Sequence, residues 1–163
     1  ISSLLSLPPD QNRRVVFGLD EFATLPKIQS VHDLLSKGRK YGSVPLLGLQ
    51  TIAQVRAKYG QHGAQTILST LGTWLTLRTP DHETANYLSS FLGQEERKRI
   101  TESESQSGSS SSESIQTTPI VMASELQMLK DREGFLSLAG SFPVCKTEVP
   151  LPQNSTKAAE AFQ

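Results

Sequence analysis

Cysteine is almost missing from this chain. Cys145 stands alone among 163 residues. That rules out an internal disulfide, leaves no thiolate pair at metal-ligand spacing, and suits a reducing cytoplasm. Histidine is as sparse: His32, His62 and His82 fall at no ligand-like spacing, so a zinc site is not expected. Neither sign of charge is in surplus. Sixteen basic residues balance sixteen acidic ones, and a chain of zero net charge is no general polyanion binder, although a local patch stays open. No apolar run reaches the length of a membrane span; the best, residues 44–49, is strand-sized. No signal peptide is read, and since the chain opens on Ile1, its gene is expected to begin upstream. No serine sits in a Gly-x-Ser-x-Gly elbow, and there is no internal repeat.

What is present is organised around Val15-Val16-Phe17-Gly18-Leu19-Asp20-Glu21. It reads as a buried apolar strand that stops at two adjacent carboxylates, the pattern of a central parallel strand. Ile28, Val31, Leu34 and Leu35 then recur at helical spacing, and Lys37, Arg39 and Lys40 complement the helix C-terminus. A second buried strand, residues 44–49, ends at Gln50. Thr51 can cap the following helix, which Gly60 interrupts. A third strand over residues 73–78 ends at Arg78. Thr79 and Pro80 are expected to open the next helix, with Thr79 as its cap, and Gly93 to close it. Strand alternating with helix is the rhythm of a parallel α/β sheet, and residues 1–95 carry it; the resemblance given below implies that they are the second half of such a core.

Composition changes after Glu95. Residues 103–114 are a serine-rich tract that can bury nothing and is expected to be a mobile loop. A short strand at Ile120-Val121 and a brief helix with Leu126 and Leu129 follow. Residues 134–149 read as a hairpin turning at Gly140-Ser141. Residues 96–149 therefore form a strand and hairpin extension of the core, and 150–163 a disordered tail.

Parallel strands present their C-terminal ends together, so Asp20, Glu21, Gln50 and Arg78 are expected along one crevice. A nucleoside triphosphatase keeps its magnesium carboxylate and its water-orienting acid in such a place, next to an amide that can sense a γ-phosphate. Two solvated acids at a strand end are the plainer alternative. Arg39 could reach a phosphoryl group bound by a neighbouring subunit, or be a solvated helix-end cation. The Lys37-Arg39-Lys40 and Arg97-Lys98-Arg99 clusters could each touch a phosphate backbone, with a solvated face the plainer reading of either alone. The chain has no Gly-x-x-x-x-Gly-Lys-Ser/Thr loop to cradle phosphates; Gly60-Gln61-His62-Gly63 is too short and has no lysine. Such a chain holds part of a nucleotide site and is not expected to hydrolyse ATP by itself.

The ordered set Leu19-Asp20-Glu21-Phe22-Ala23-Thr24-Leu25, Lys37-Gly38-Arg39-Lys40-Tyr41-Gly42 and Leu47-Gly48-Leu49-Gln50-Thr51 resembles the type IV coupling proteins, the TraD, TraG and TrwB family of conjugation and type IV secretion. The likeness continues through Gln54, Tyr59-Gly60, Arg78, Leu92-Gly93, Gly134-Phe135, Ala139-Gly140 and Phe142-Pro143-Val144, over roughly residues 1–149. The resemblance implies the C-terminal part of a RecA-like P-loop NTPase core followed by a β-hairpin. It implies a hexameric motor at the cytoplasmic face of the inner membrane that uses ATP and Mg2+ to pump single-stranded DNA. Its partners would be the relaxase, relaxosome accessory proteins and secretion-channel components. By that likeness Asp20 is the Walker B magnesium carboxylate, bound directly or through water, and Glu21 activates water. Arg39 acts in trans, Gln50 senses the γ-phosphate, and the phosphate loop and membrane spans lie upstream. A non-catalytic module that docks relaxosome accessory or substrate proteins is the alternative. A transporter-type ATPase fits less well, for no Leu-Ser-Gly-Gly-Gln-like signature precedes the acidic pair.

Overall fold

The structure, a computed structural model, describes residues 1–10, 12–105 and 108–151. The tail expected over 150–163 lies outside the described residues from 152 onward, as do Gln106 and Ser107 of the serine tract. A single turn, α1 (Ser2–Leu5), precedes the Pro8-Pro9 loop. Strand β1 (Val15–Leu19) crosses through α2 (Val31–Lys37) and a 3-10 turn (Gly38–Tyr41) to β2 (Ser43–Leu47). The two strands pair in parallel, Val15 opposite Ser43 and Leu19 opposite Leu47.

This pair is less buried than the apolar run suggests. Burial alternates along β1, with Val16 61% exposed. Leu19 and Leu47 face a cluster built from Phe22, Val31, Val55, Tyr59, Ala64 and Ile67. Val16, Val44 and Leu46 lie on the opposite, uncovered face. Period-two alternation puts successive side chains on opposite faces, so helices on one side bury every second residue.

Helix α3 (Ile52–Thr70) follows, capped as its sequence signals: Thr51 Oγ1 accepts from the Gln54 N–H at 3.3 Å. It kinks at Gly60, whose φ of 74° and ψ of 167° break the helical ladder in a region that essentially only glycine enters. Strand β3 (Trp74–Leu77) does not continue the parallel sheet. Among the described residues its strand partner is β6 (Glu133–Ser137), antiparallel, and β6 pairs in turn with β7 (Cys145–Glu148). A cavity of about 650 Å³ lies between the end of β2 and β3, so the expected three-stranded parallel sheet is not formed among the described residues.

Helix α4 (His82–Leu92) runs to Gly93 as expected, but its cap is Asp81 and not Thr79. Asp81 Oδ2 accepts from the Thr84 N–H at 2.8 Å, whereas Thr79 Oγ1 donates to the Leu77 carbonyl. The serine tract is also not an unpaired loop over its described backbone. β4 (Gln94–Ser105) and β5 (Gly108–Pro119) form an antiparallel ribbon in continuous register from Gln94–Pro119 to Ser105–Gly108. Ile120 is not a strand residue; its N–H donates to the Gly93 carbonyl at 3.0 Å. Helix α5 (Ala123–Met128) and the β6–β7 hairpin fall where the pattern puts them. Leu88, Leu92, Val121, Leu126, Trp74 and Phe135 form a second core, joined to the first through α3 and Leu49.

Thr84 links two helix starts. Its hydroxyl accepts from the Ile52 N–H at 3.0 Å while its own N–H reaches Asp81. It satisfies an orphan donor at the first position of α3 in a buried setting. Thr84→Val keeps the shape and removes that acceptor, and should cost about 1–3 kcal/mol in denaturant unfolding. Thr84, by its side chain and its N–H, also holds the Asp81 carboxyl below the usual aspartate range. A carboxylate with a lowered folded pKa contributes stability that is complete above its unfolded value and is lost as pH falls through the folded one. Asp81→Ala should therefore lower the melting temperature at neutral pH, and the difference from wild type should shrink in acid below the usual aspartate range.

Candidate functional site

The end of β1 is held against the end of β2 by the backbone. The Gly48 N–H donates to the Leu19 carbonyl at 3.0 Å, and the Phe22 N–H returns to the Gly48 carbonyl at 2.8 Å. Phe22 is fully buried and stacks on Tyr59 with ring centroids 5.2 Å apart. Between these anchors the chain turns sharply. Glu21 adopts a φ of 47°, a left-handed conformation that a non-glycine residue enters at a cost. Its carbonyl accepts from both the Thr24 N–H and the Thr24 hydroxyl, at 2.7 and 2.9 Å. Asp20 Oδ1 accepts from the Glu21 N–H at 3.0 Å, so the turn is closed on both sides.

Three of the residues singled out in the sequence come together there. Asp20 and Glu21 are exposed at the mouth, and Gln50 Nε2 donates to Glu21 Oε1 at 3.0 Å. A carboxylate pair and an amide at adjacent strand ends can coordinate a hard cation through oxygen and orient a water. Magnesium takes one or two carboxylates plus waters and phosphate oxygens, and the Asp20–Glu21 donor set fits that demand. No group of three or more histidine, cysteine or acidic residues suited to a metal occurs among the described residues.

Arg78 is placed differently from expectation. It borders the cavity between β2 and β3 together with Gln50, but its guanidinium pairs with Asp131 at 2.9 Å. Arg39 lies at the other end of the strands. It lines a second cavity with Arg14, Lys40 and Ser43, where β1 and β2 begin. Five residues at about 3.3 Å each separate the two ends by roughly 15 Å, so within one chain Arg39 does not meet Asp20 or Glu21. Arg97 of β4 pairs with Glu95 at 2.5 Å, on the exposed ribbon.

Gly48, noted in the sequence only as part of the Leu47–Thr51 motif, has a structural role that the sequence reading did not give it. A Cβ on it would lie 2.8 Å from Asp20 Oδ1 and 3.3 Å from the Glu21 nitrogen. A glycine between two leucines in an otherwise apolar strand was the available signal of close approach. Gly48→Ala should displace the Asp20 carboxylate while leaving the fold in place. The expected result is an unfolding midpoint lowered by about 1–2 kcal/mol equivalent, read by denaturant unfolding; an unchanged midpoint would mean that Asp20 shifts aside freely.

The sequence model of the type IV secretion-system coupling protein DNA-binding domain matches residues 1–150. Coupling protein TraD of Escherichia coli K12 is 29% identical over 168 residues, spanning 99% of this chain and 23% of TraD. Protein VirD4 of Rhizobium rhizogenes is 26% identical over 143 residues, 85% of this chain and 21% of VirD4. The chain thus spans under a quarter of these relatives. Among solved structures, the unbound bacterial conjugative coupling protein TrwBΔN70 superposes with a TM-score of 0.86 at 30% identity, over 97% of this chain and 36% of that one. TrwB in complex with ADP and Mg2+ gives 0.82 at 30% identity, over 96% and 35%. The mixed α/β fold is that of TrwB. Among the described residues no helix is long and apolar enough to cross a membrane.

Proposed function

The chain belongs to the type IV secretion-system coupling proteins, and from that premise we propose that it supplies the Walker B half of an ATP-driven, RecA-like motor that moves single-stranded DNA in conjugation. The observation that carries this reading is the meeting of Asp20, Glu21 and Gln50 at one end of a parallel strand pair. TrwB, which shares the fold, has been captured with ADP and Mg2+ and with a non-hydrolysable ATP analogue. Magnesium, when bound, neutralises charge on the β- and γ-phosphate oxygens. Asp20 holds it, directly or through water. Glu21 orients the attacking water and takes its proton.

Gln50 has a second role in this reading. Its amide N–H now occupies Glu21 Oε1. A γ-phosphate oxygen arriving at the strand end competes for that N–H, and the carboxylate is then released to bind water. Arg39, held away from the carboxylates of its own chain, acts on the nucleotide of a neighbour in a hexamer.

The phosphate loop that this site requires is supplied from outside these 163 residues. The cavity between β2 and β3 supports that arrangement. It is lined mostly by apolar surface from Leu47, Leu49, Trp74 and Leu75, and Leu75 and Leu77 are 49% and 44% exposed. An extended segment entering there would pair with unpaired strand edges and bury them. In the complete assembly the motor works at the inner membrane's cytoplasmic face, receiving DNA with its relaxase and accessory proteins and passing it to the secretion channel.

Glu21→Gln in the complete coupling protein should lower ATP turnover by about 10²–10⁴-fold and abolish DNA transfer, with assembly and nucleotide affinity retained. Phosphate release and mating efficiency are the two readouts. Transfer that persists with this variant would sink the motor reading and leave a docking module for relaxosome or substrate proteins.

A further inference from the structure

The pair Tyr59-Gly60 and the run Gly60-Gln61-His62-Gly63 belong to no phosphate loop, yet the structure sets both directly behind the carboxylate turn. Tyr59 is only 8% exposed. Its ring stacks on Phe22, the residue after Glu21, with centroids 5.2 Å apart and planes 7° from parallel. Its hydroxyl accepts from the Ile28 N–H at 3.2 Å, and the His32 ring meets it edge-on at 6.4 Å. Lys27 Nζ lies 5.9 Å from its ring centroid, and the adjacent Lys58 Nζ donates to the Leu25 carbonyl. Two consecutive residues of α3 thus hold the segment that leads from the carboxylates into α2.

Both glycines shape the chain around that ring. Nothing lies within 4 Å of the point where a Cβ on Gly60 would sit, so its backbone conformation, and not lack of space, requires glycine there. A Cβ on Gly63 would stand 3.3 Å from the Tyr59 Cβ. In an unbroken helix, Cβ atoms four residues apart are about 5–6 Å from one another. The kink therefore draws Gly63 in against Tyr59 from behind. At the other end of the same helical segment, Gln50 precedes the Thr51 cap and donates to Glu21 Oε1. Residues 52–59 span only about 12 Å at the helical rise. One short rod thus meets Glu21 through Gln50 at one end, and the residue behind Glu21 through Tyr59 at the other.

We propose that Tyr59 is a positioning residue for Glu21: its ring, turned in at the Gly60 kink and backed by Gly63, fixes Phe22 and through it the direction of the carboxylate. The proposal rests on the reading of Glu21 as the acid that orients water. Glu21 sits in a left-handed turn with its side chain exposed, so its aim depends on the backbone on either side of it. A misplacement of about 1 Å can cost about a hundredfold in rate. A group that acts on the attacking water rather than on the nucleotide lowers kcat when displaced and leaves affinity unchanged.

The test uses the complete coupling protein, assayed for ATP turnover and for affinity toward ADP with Mg2+. Tyr59→Leu stays apolar but loses the flat ring, and should lower kcat about tenfold. Its ADP affinity should stay within about twofold of wild type. Tyr59→Phe keeps the ring and should retain at least about half of the turnover. Gly63→Ala, which presses on Tyr59 without removing it, should also lower kcat, and it carries the test if Tyr59→Leu does not assemble. A double-variant cycle separates positioning from damage to the fold. With Glu21→Gln already in place, Tyr59→Leu should lower the residual turnover no further, because the group that it positions is gone. An equal loss in both backgrounds would show that Tyr59 serves the fold alone and would overturn the proposal. Unchanged kcat in Tyr59→Leu and Gly63→Ala, beside an impaired Glu21→Gln, would overturn it too and leave the motor reading standing. Full turnover in Glu21→Gln itself would remove both.

Discussion

Two backbone hydrogen bonds, from Gly48 to Leu19 and from Phe22 to Gly48, hold the carboxylate turn in place. They lock the last residue of β1 against the first residue beyond β2, and so fix where Asp20 and Glu21 can go. The turn carries a left-handed Glu21, a conformation worth about 1–3 kcal/mol of strain. Burial of Phe22 against Tyr59, at about 1.5–3 kcal/mol for a side chain of that size, is large enough to offset it. Tyr59 is itself tied to the strand-side loop, accepting from the Ile28 N–H at 3.2 Å. The acidic pair is thus presented by an apolar anchor immediately behind it, which explains why the two most polar residues of the segment adjoin its most buried one.

Because β1 and β2 are parallel and joined through α2, their two ends are chemically different surfaces. The C-terminal end carries carboxylates and an amide, and the N-terminal end collects Arg14, Arg39 and Lys40. An antiparallel pair would mix these ends. The crossover places the 3-10 turn, with Arg39 and Lys40, beside the start of β2 rather than its end. Separation of acid from base along one short strand pair is therefore a consequence of topology.

Local signals were the legible part of this fold. The Thr51 cap, the Gly60 break, the Gly93 stop and the β6–β7 hairpin each depend on residues within a few positions of one another. The Gln50–Glu21 contact was also legible, since a parallel pair in simple register brings strand ends together. What the sequence hid is of two kinds. Near Pro80, two polar residues compete to cap one helix, and Asp81 wins because its carboxylate reaches the Thr84 N–H while the Thr79 hydroxyl is occupied. The pairing of β3 with β6, and the ribbon formed by β4 and β5, are long-range choices on which local propensity is silent. Arg14 was read only as a lead into a strand, and its place in the cavity with Arg39 depends on β2 returning beside it.

The uncovered face of the strand pair bears on how the site is stabilised. Val16, Val44 and Leu46 are 61%, 37% and 59% exposed, whereas the helix-covered face holds Leu19 and Leu47 against a closed cluster. Apolar side chains that alternate onto both faces are the mark of a sheet buried on two sides. Here one side alone anchors Asp20, Glu21 and Gln50. The backbone bonds at Gly48 tie that anchored face to the carboxylate turn, and a Cβ at Gly48 would crowd Asp20 Oδ1 at 2.8 Å, so the packing of β2 and the placing of the carboxylate are set by the same few atoms.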